Sequence, residues 1–553
     1  MPPFAVWPPL TLAVLVVPVV GGLIGTVLPA FGYLPALGLT TLSLEGWRGL
    51  ALVPGLAWSV LLSVWVALAS TLISFCLALA FVAATTTAPR TAWLRRLVSP
   101  VLAAPHVGVA IGLAFLLAPS GLFVRLLSPW LTGFTQPPAW LVPGDPWGLS
   151  LLFGLVVKET PFLVLMLLAA QAGLDAERRV LVARSLGYGP LRAWHQTVLP
   201  AVYPSLRWPI MAVLAYGFSP VDMALVLGPS VPPILAVRVV ELMGDPSLAR
   251  WPIGAAAALL LLALAVLTMA LWRLAERPVS AVALARARRG PGATSPLPWR
   301  GLALVLPTAV TLTALLGLAA MALWSIAGRW RFPDPWPDTL RLDGWQQLQG
   351  PLGHSLFVTA GLAAIVAGTA LVLTILCLEA ETYRRRPLPR RVLFWLFLPL
   401  VVPQAAFLFG VQVVLVGVRL DGTLGGVALV QLAFVLPYTF LALAGSWRGL
   451  DPRWRLTAAS LGQGPWRVLW RVKLPLLAAP IATAFAIGFA VSVALYLPTL
   501  FAGGGRVRTL ALEAVALAGA DRRSAGVVVT LLALLPLLGF LFAAAVRLRV
   551  ERR

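Results

Sequence analysis

Long apolar runs recur along the whole chain and are separated by short polar connections. A membrane-spanning helix requires about 20 mostly apolar residues. Twelve windows of this kind lie near residues 8–30, 57–84, 99–118, 147–170, 206–228, 252–272, 302–327, 354–378, 393–416, 426–446, 476–501 and 525–546. They predict helices, because the strands of a membrane barrel would alternate between apolar and polar residues. The pattern therefore predicts an all-α, polytopic membrane protein with about twelve transmembrane helices.

The composition supports this prediction and excludes a water-soluble fold. Hydrophobic residues make up 60% of the chain, charged residues make up only 11%, and the mean hydropathy is +0.92. Soluble domains contain about a quarter charged residues. We therefore expect the lipid bilayer to be the solvent for most of the chain.

The formal charge of +23 is distributed unevenly between alternate connections. One set of connections, which includes the C-terminal tail, carries 29 of the 42 Lys and Arg residues, and the other set carries 12. Short loops rich in Arg and Lys remain in the cytosol. We therefore expect a multi-pass protein of the bacterial inner membrane with both termini in the cytosol. A nucleic-acid partner is not expected, because no loop is long enough to form a folded basic surface.

The chain also contains an internal repeat. Residues 181–200 read LVARSLGYGPLRAWHQTVLP and residues 456–475 read LTAASLGQGPWRVLWRVKLP, with ten identities in twenty positions and no gap. Further matched pairs are Leu235 with Leu510, Pro105 with Pro403, and Gly112 with Gly410. The two parts of the chain can therefore be aligned element by element.

The repeat predicts two six-helix halves in the same orientation, because each copy of the motif follows the fourth span of its half. The first half would occupy residues 1–272 and the second half residues 301–553. The repeated loops would lie near residues 175–204 and 450–479, on the cytosolic side. Residues 273–300, which are rich in Arg, Pro and Gly, are predicted to form a solvated cytosolic linker.

The repeated loop has a more specific residue pattern than a simple connection between two membrane helices requires. Ala183 and Gly187 are four residues apart, so on a helix they form a small-residue stripe that a partner can approach closely. Gly187, Gly189 and Pro190 then predict a bend, since glycine tolerates positive φ and proline cannot continue the hydrogen-bond ladder. The second copy repeats this spacing at Ala458, Gly462, Gly464 and Pro465. We therefore predict that each loop consists of a short helix, a bend and a second helical run.

These loops resemble the cytosolic loop of type I ATP-binding-cassette (ABC) importer permeases. In that family the pattern is E-A-A, three residues, a glycine, nine residues and I-x-L-P. Gly187 and Gly462 both stand at the matching distance from a Leu-Pro pair. The family Glu is replaced by Leu181 and Leu456, which is the main departure from the pattern.

The resemblance implies that each loop is a coupling helix, which docks in a groove of an ATPase subunit and transmits its closure to the membrane helices. It extends over essentially the whole chain, since fused twelve-span permeases of this family serve ferric-iron and thiamine importers. The implied coupling residues are Ala183, Gly187, Gly189, Arg192, Leu199, Pro200, Ala458, Gly462, Gly464, Arg467, Leu474 and Pro475.

The resemblance also implies which partners complete the transporter. Neither of the two lysines, Lys158 and Lys473, completes a Walker-type G-x-x-x-x-G-K-[ST] loop, so we expect no cofactor and no catalytic site in this chain. ATP and Mg²⁺ would be bound by two copies of a separate cytosolic ABC ATPase subunit. An extracytoplasmic solute-binding protein would dock on the outer loops, near residues 119–146, 229–251, 328–353 and 502–524.

Ionisable groups inside a span are costly and often mark a transport pathway. Lys158 and Glu159 lie near the middle of the fourth predicted span, and Asp222 lies in the fifth. A pathway role and a structural role within the helix bundle both remain open for them. Lys158 favours an anionic solute and Asp222 a cationic one, so the sequence does not select among thiamine, ferric iron, sulfate, thiosulfate and polyamines. No metal site is predicted.

Two other classes of protein share some of these features. A twelve-span secondary transporter of the major-facilitator kind also has parallel halves, but its loop after the second span carries a G-x-x-x-D-R-x-G-R-R-like run. Residues 87–96 contain neither Gly nor Asp. A membrane-embedded enzyme would need a nucleophile, a base and a metal, and these helices do not supply such a set. The importer permease is therefore the preferred prediction.

Overall fold

The computed structural model describes residues 4–35, 38–290, 298–384 and 390–551. Within these ranges the chain is helical, with two isolated β-bridges and no longer strand. Nine of the described helices are long and apolar enough to cross a membrane, and the number rises to twelve if each of three bent helix pairs counts as one span. The prediction of an all-α, polytopic membrane protein is confirmed.

The described residues up to residue 290 form thirteen α-helices. They are α1 (Trp7–Ala30), α2 (Glu45–Ala51), α3 (Leu56–Thr87), α4 (Val98–Ala103), α5 (His106–Leu117), α6 (Leu122–Leu127), α7 (Leu149–Gln171), α8 (Ala176–Ser185), α9 (Pro190–Thr197), α10 (Leu199–Phe218), α11 (Val221–Leu227), α12 (Leu235–Met243) and α13 (Trp251–Arg288). A 3₁₀ segment, Pro89–Leu97, joins α3 to α4.

The part after residue 297 repeats much of this order. Its helices are α14 (Pro298–Ile326), α15 (Asp343–Gln346), α16 (Pro351–Arg384), α17 (Arg390–Val401), α18 (Gln404–Gly417), α19 (Leu424–Arg448), α20 (Pro452–Ser460), α21 (Pro465–Val468), α22 (Leu474–Leu476), α23 (Ala478–Ala494), α24 (Leu497–Gly503), α25 (Leu510–Ala518) and α26 (Arg522–Glu551). A π-helical turn, Leu469–Lys473, joins α21 to α22.

Four of the predicted spans are broken in the structure. The span predicted at 99–118 breaks between α4 and α5, and the one predicted at 393–416 bends by 106° between α17 and α18. The fifth span of each half is also interrupted, between α10 and α11 and between α23 and α24. Hydropathy shows how long an apolar run is, but it does not show whether the helix in that run is straight or broken. These breaks are therefore not predicted by hydropathy. Pro105, Pro220 and Pro403 stand directly at three of them, where the missing N–H ends the ladder.

The predicted linker begins as a helix. Because α13 continues without interruption to Arg288, residues 273–288 of the predicted linker are helical, and residues 277–286 are exposed. Their sequence is rich in Ala, Arg and Leu, which are strong helix formers and outweigh the single Pro278. Residues 291–297 of the predicted linker lie outside the described residues, and α14 starts at Pro298.

The chain forms two compact units that differ from the two halves of the sequence. One unit contains Met1–Leu28, Ala103–Gly108 and Arg341–Arg553, and the other contains Pro29–Leu102 and Val109–Leu340. The halves predicted at 1–272 and 301–553 follow the sequence repeat. In the compact units, the first helix of each half belongs to the unit formed mainly by the other half. Most of α1 packs with helices of the second half, and α14 packs with helices of the first half.

Close backbone contacts explain the matched glycines Gly112 and Gly410. A Cβ atom on Gly112 in α5 would lie only 2.8 Å from the backbone of Gly317 in α14. In the other unit, a Cβ atom on Gly25 of α1 would lie 2.6 Å from the carbonyl oxygen of Gly410 in α18. Small residues allow such approach, and van der Waals packing is the main attraction between helices in a bilayer. Both matched glycines therefore serve the exchanged first helices.

Two hydroxyl groups make the same hydrogen bond at corresponding places in the two parts of the chain. The Ser63 hydroxyl in α3 accepts a hydrogen bond from the Leu235 N–H at the start of α12, at 2.8 Å. The Thr359 hydroxyl in α16 accepts one from the Leu510 N–H at the start of α25, at 2.9 Å. Each hydroxyl satisfies an N–H group that has no partner within its own helix. The pairing of Leu235 with Leu510 in the sequence therefore corresponds to one structural device, present twice.

We expect Gly112→Val to lower the free energy of unfolding by about 1–3 kcal/mol, because the added side chain separates α5 from α14. Differential scanning fluorimetry of the purified protein in detergent would measure this effect as a lower melting temperature. Gly361→Val is the matched control, since Gly361 also lies in a long membrane helix and has open space around its Cβ position. Equal melting temperatures for the two variants would contradict the close contact.

Candidate functional site

The two repeated loops fold as short helical hairpins. In the first loop α8 ends at Ser185, and α9 begins at Pro190. In the second loop α20 ends at Ser460, and α21 begins at Pro465. The predicted order of short helix, bend and second helical run is therefore present in both loops.

Gly187 ends the first helix of the first loop with a left-handed residue, at φ 89°. Its N–H donates to the Arg184 carbonyl at 3.0 Å, and the Tyr188 N–H donates to the Ala183 carbonyl at 3.2 Å. This pair of bonds is the Schellman motif, which satisfies the last carbonyls of a helix and favours glycine at the left-handed position. The four-residue spacing from Ala183 to Gly187 is thus the spacing of a helix C-cap.

The second loop repeats this C-cap. Gly462 has φ 75°, its N–H donates to the Ala459 carbonyl at 3.0 Å, and the Gln463 N–H donates to the Ala458 carbonyl at 3.1 Å. Apart from Gly462 itself and its two chain neighbours, no atom of the described residues lies within 4 Å of its Cβ position. Its backbone conformation, rather than a lack of space, therefore accounts for the glycine.

The second glycine and the proline of the motif start the next helix. Gly189 and Gly464 are the N-cap residues of α9 and α21, in extended conformation, and Pro190 and Pro465 follow at the first helical position. Proline is well suited there, because its fixed φ matches the helix and its missing N–H has no partner to lose. The repeated sequence G-x-G-P therefore encodes one helix end and one helix start.

One side of the first loop is buried against the chain itself. Ala183, Ala193, Trp194 and Val198 belong to a buried cluster with residues of α3, α7 and α10. The small-residue stripe was expected to admit a partner, but Ala183 is only 3% exposed and packs within this cluster. The close approach is therefore to the chain's own helices, and it fixes the loop to the membrane bundle.

The opposite side of each loop presents apolar side chains to solvent. They are Leu181, Val182 and Leu186 in the first loop, and Leu456, Leu461 and Trp466 in the second. Leu186 and Leu461, which are equivalent in the repeat, are 66% and 73% exposed. The leucines that replace the family Glu are therefore at the surface, where a partner can contact them.

The other predicted coupling residues lie around this surface. The half-buried Arg192 donates from Nη2 to the Gly290 carbonyl at 3.1 Å, whereas Arg467 is exposed. Leu199 and Leu474 are half-buried, and Pro200 and Pro475 are exposed. The structure therefore places all twelve predicted coupling residues within the two helical hairpins or at the starts of the helices that follow them.

A buried ion pair ties the second loop to α16. Lys473 Nζ lies 2.6 Å from Glu379 Oε2, both side chains are almost completely buried, and the ammonium group lies 5.6 Å from the centre of the Trp447 ring. In the first loop the position equivalent to Lys473 is Val198, which packs in the apolar cluster. The two loops thus share a turn but are anchored by different interactions.

A second ion pair fixes the other end of the second loop. Arg448, the last residue of α19, donates to both carboxylate oxygens of Glu381 at 3.1 and 3.0 Å. Glu379 and Glu381 are two residues apart on α16, so this helix holds the chain on both sides of the loop. The sequence prediction missed these pairs, because the partners are 94 and 67 residues apart in the chain. The only signal was the presence of two acidic residues at the end of an apolar run.

Lys158 lies buried in α7 and caps the end of another helix. Its ammonium group donates to the Val101 carbonyl at 2.8 Å and to the Leu102 carbonyl at 3.4 Å, in the last turn of α4. Proline has no N–H, so Pro105 cannot donate to the Val101 carbonyl as a helical residue would. Lys158 supplies the missing donor and places a positive charge at a helix C-terminus, where it is favourable.

The three predicted pathway residues lie in one region of a single unit. Glu159 and Asp222 are buried, and their carboxylates act electrostatically on the Lys158 ammonium group. Asp222 stands in the first turn of α11 and accepts a hydrogen bond from the Tyr216 hydroxyl at 3.1 Å. The structure therefore gathers these groups into one buried charged cluster at two helix breaks.

The second half carries a neutral polar network that the sequence prediction missed. Gln431 in α19 donates to the Thr499 hydroxyl at 2.8 Å and accepts from the Ser492 hydroxyl at 2.6 Å. All three side chains are buried, and they join α19, α23 and α24. Uncharged residues inside apolar runs give no strong signal, which is why only the charged groups were predicted. Among the described residues no group of three His, Cys, Asp or Glu could hold a metal ion.

Comparison with known proteins extends this description. Residues 370–553 match the family described as the binding-protein-dependent transport system inner membrane component. The chain is similar to the inner membrane ABC transporter permease protein YnjC of Escherichia coli (strain K12), at 33% identity over 421 residues, which cover 75% of this chain and 73% of that protein. It is also similar to the molybdenum transport system permease protein ModB of Mycobacterium tuberculosis (strain ATCC 25618 / H37Rv), at 31% identity over 222 residues, which cover 38% of this chain and 82% of that protein.

We expect Lys473→Met to destabilise the protein by about 3–5 kcal/mol, because it leaves the Glu379 carboxylate buried without its cation. The double variant Lys473→Met with Glu379→Met should recover most of this loss, since the first loop already uses apolar packing at the equivalent position. Thermal unfolding in detergent micelles would measure both effects.

Arg250→Met is the control for this experiment. Arg250 pairs with Asp245 at 2.9 Å but is 58% exposed, and an exposed pair of this kind contributes only about 0–1 kcal/mol. If Lys473→Met were no more costly than Arg250→Met, the buried pair would not anchor the loop.

Proposed function

The chain belongs to the ABC transporter permeases of binding-protein-dependent transport systems, as its repeated loops predict, and we therefore propose that it is the membrane-spanning permease subunit of an ATP-driven importer. In this proposal a small solute, delivered by an external binding protein, passes to the cytosol through alternating access. The permease itself is not an enzyme. Two copies of a separate ATPase subunit bind ATP and Mg²⁺ and hydrolyse the nucleotide.

The paired loops are the observation that carries this proposal. Both have the same C-cap, the same N-terminal Gly-Pro start and exposed leucines at equivalent positions. Apolar groups clustered on the surface of a polar loop are typical of a protein interaction site. Two equivalent loops suit two copies of one partner, and a dimer of ATPase subunits meets this requirement.

The replacement of the family Glu by leucine makes the proposed contact with the ATPase apolar at this position. At Leu181 and Leu456 the side chain is exposed and apolar. An ionic contact is therefore replaced by an apolar one, and the groove of the partner ATPase should be apolar where it receives these side chains. The interaction should depend weakly on salt at these two positions, because only charged contacts are screened by ions.

The anchoring of the loops supports a mechanical role. Trp194 and Val198 fix the first loop in the cluster formed with α3, α7 and α10, and Lys473 fixes the second loop to α16. A loop held in this way cannot move independently of its helices, because packed cores are bistable and do not deform continuously. When the ATPase subunits close, they would therefore reorient the membrane helices attached to each loop.

The orientation follows from the charge distribution. Both loops belong to the set of connections that carries 29 of the 42 Lys and Arg residues. The positive-inside rule places this set, together with both termini, in the cytosol of a bacterium. The ATPase subunits would then have direct access to both loops.

The opposite set of connections would receive the solute-binding protein. Two of these loops are held together inside one unit, since the buried Arg125 of α6 donates to the Arg331 carbonyl at 2.6 Å and lies 5.1 Å from the centre of the Trp330 ring. A connected outer surface suits the docking of a globular partner. Most solute selectivity would reside in that partner, and the similarity to ModB, a molybdenum transport system permease protein, adds a molybdenum-containing solute to the candidates.

We further propose that Lys158, Glu159 and Asp222 border the transport pathway. They form a buried charged cluster next to two helix breaks, and non-helical backbone at membrane depth is tolerated where it is enclosed by protein or faces a water-filled cavity. Lys158 also caps α4, so its pathway role has to be separated experimentally from its structural role.

Leu186→Asp combined with Leu461→Asp should weaken binding of the partner ATPase by more than about tenfold, equivalent to ~1.4 kcal/mol, because it places two charges in an apolar contact. The measurement is the affinity of the genomic-neighbour ATPase for the permease in lipid nanodiscs, together with the rate of ATP hydrolysis. Both leucines are exposed, so folding should be unaffected.

The control combines Leu42→Asp with Leu52→Asp. These leucines are at least as exposed but belong to the predicted outer side, so binding of the ATPase should not change. Equal affinities for the wild type and for the Leu186/Leu461 variant would rule out the coupling-loop assignment.

Lys158→Met should reduce solute uptake more than it reduces assembly with the ATPase. Pro105→Ala, added to Lys158→Met, restores a backbone donor for the Val101 carbonyl and should recover thermal stability without recovering uptake. The solute for this assay would be chosen by a thermal-shift screen of the neighbouring binding protein against thiamine, ferric iron, sulfate, thiosulfate, polyamines and molybdate. Full recovery of uptake in the double variant would assign Lys158 to capping alone.

A further inference from the structure

The helix α13 is much longer than a membrane crossing requires. Its 38 residues, from Trp251 to Arg288, extend over about 57 Å at 1.5 Å per residue. The hydrocarbon core of a bilayer is about 30 Å thick, so about 20 residues are sufficient to cross it. The remaining segment, Arg273–Arg288, begins with the first charged residue of the helix, and we call it the projecting helix.

The surface of the projecting helix is not covered by any other described part of the chain over most of its length. Val279, Val282 and Leu284 are 67%, 50% and 54% exposed, and residues 277–286 are exposed on every face. Its base is held to α10, because Glu276 pairs with Arg207 at 3.1 Å and accepts a hydrogen bond from the Tyr203 hydroxyl at 3.0 Å. Arginines outnumber acidic residues along it, with Arg273, Arg277, Arg286 and Arg288 against Glu276.

The far end of the projecting helix lies beside the first coupling loop. Gly290, in left-handed conformation at φ 78°, follows the helix, and its carbonyl accepts the hydrogen bond from Arg192 Nη2 at 3.1 Å. Arg192 belongs to α9, the second helix of that loop. The end of the projecting helix is therefore next to α9 of the first coupling loop, and the α8 end of the same loop carries Leu181 and Leu186.

The geometry distinguishes a protein partner from the lipid surface. A basic helix with apolar residues can bind anionic lipid headgroups, but it then lies in the plane of the membrane. The projecting helix continues a membrane-crossing helix without a break, through Pro278. We take Arg273, the first charged residue of the helix, as the level of the bilayer surface. Arg286 is thirteen residues beyond it and thus about 20 Å farther along the helix axis. This distance exceeds the Debye length of about 8 Å at physiological ionic strength, so the attraction between Arg286 and anionic headgroups is largely screened.

We propose that the projecting helix and the first coupling loop form one continuous docking surface for an ATPase subunit. The partner would supply apolar contacts for Val279 and Val282 and acidic side chains for Arg286 and Arg288. This proposal rests on the proposed function, because it assigns the same partner to a larger surface. The ATPase subunit bound at the first coupling loop would then contact the projecting helix in addition to the loop.

The test is a charge reversal, Arg286→Glu combined with Arg288→Glu, in the full-length permease. Both arginines are exposed, so the variant should fold normally. We expect its affinity for the purified ATPase to fall about tenfold, and the salt dependence of binding to become weaker. The matched control is Arg90→Glu combined with Arg96→Glu, which makes the same change of charge at two exposed residues of the Pro89–Leu97 segment and should leave the affinity unchanged.

The measurements would use nanodiscs of phosphatidylcholine and, in parallel, nanodiscs with phosphatidylglycerol added. A tenfold loss in both lipids supports the docking surface. A loss confined to the anionic lipid would show that the projecting helix binds headgroups, and would overturn the proposal. Another outcome is that the charge reversal has no effect while Leu186→Asp with Leu461→Asp abolishes binding. That result would support the assignment of the coupling loops and would show that the projecting helix is not part of the docking surface. If neither variant weakens binding, the proposed function fails as well.

A photoreactive residue at Val282 provides a second measurement that does not change any charge. In the purified complex it should form a cross-link to the ATPase subunit, whereas the same residue at Trp93, which is also exposed, should not. Cross-linking at Trp93 alone would contradict the proposal.

Discussion

A backbone N–H or C=O group in the hydrocarbon of a bilayer has no water to bind, so the chain itself must supply a partner for each one. Continuous helices meet this requirement by themselves, and most of the described chain is helical for that reason. The breaks are different, because each break releases carbonyl and N–H groups at membrane depth. In this protein several buried polar side chains supply partners for such groups.

Particular residues illustrate this rule. Lys158 donates to the Val101 carbonyl at the break before Pro105. The Ser63 and Thr359 hydroxyls accept the first N–H groups of α12 and α25. Thr499, after the break that ends α23, donates to the Leu495 carbonyl at 2.8 Å while accepting from Gln431. Backbone satisfaction therefore explains several buried polar groups, among them Lys158, which its charge alone would assign to solute transport.

The two halves of the chain show which features a duplication preserves and which it does not. The turn at Gly187 and Gly462 is identical in its hydrogen bonds, because the left-handed residue and the following proline act within a few residues of sequence. The anchoring differs, since Val198 packs in an apolar cluster whereas Lys473 pairs with Glu379. Either solution can fix a loop to its bundle, so the interior was free to diverge while the turn was kept.

The sequence by itself determined the membrane class, the twelve apolar runs, the internal repeat and the turn chemistry of the two loops, because these features depend on local composition or on spacings of a few residues. Only the tertiary structure decided that Ala183 is buried and Leu186 exposed, that the first helices are exchanged between the compact units, and that Glu379 is the partner of Lys473. It also showed that residues 273–288 continue α13 as a helix. Each of these features depends on contacts between segments that are tens to hundreds of residues apart in the chain. A local run of apolar residues shows that a segment is buried, but it does not show which other segment it packs against.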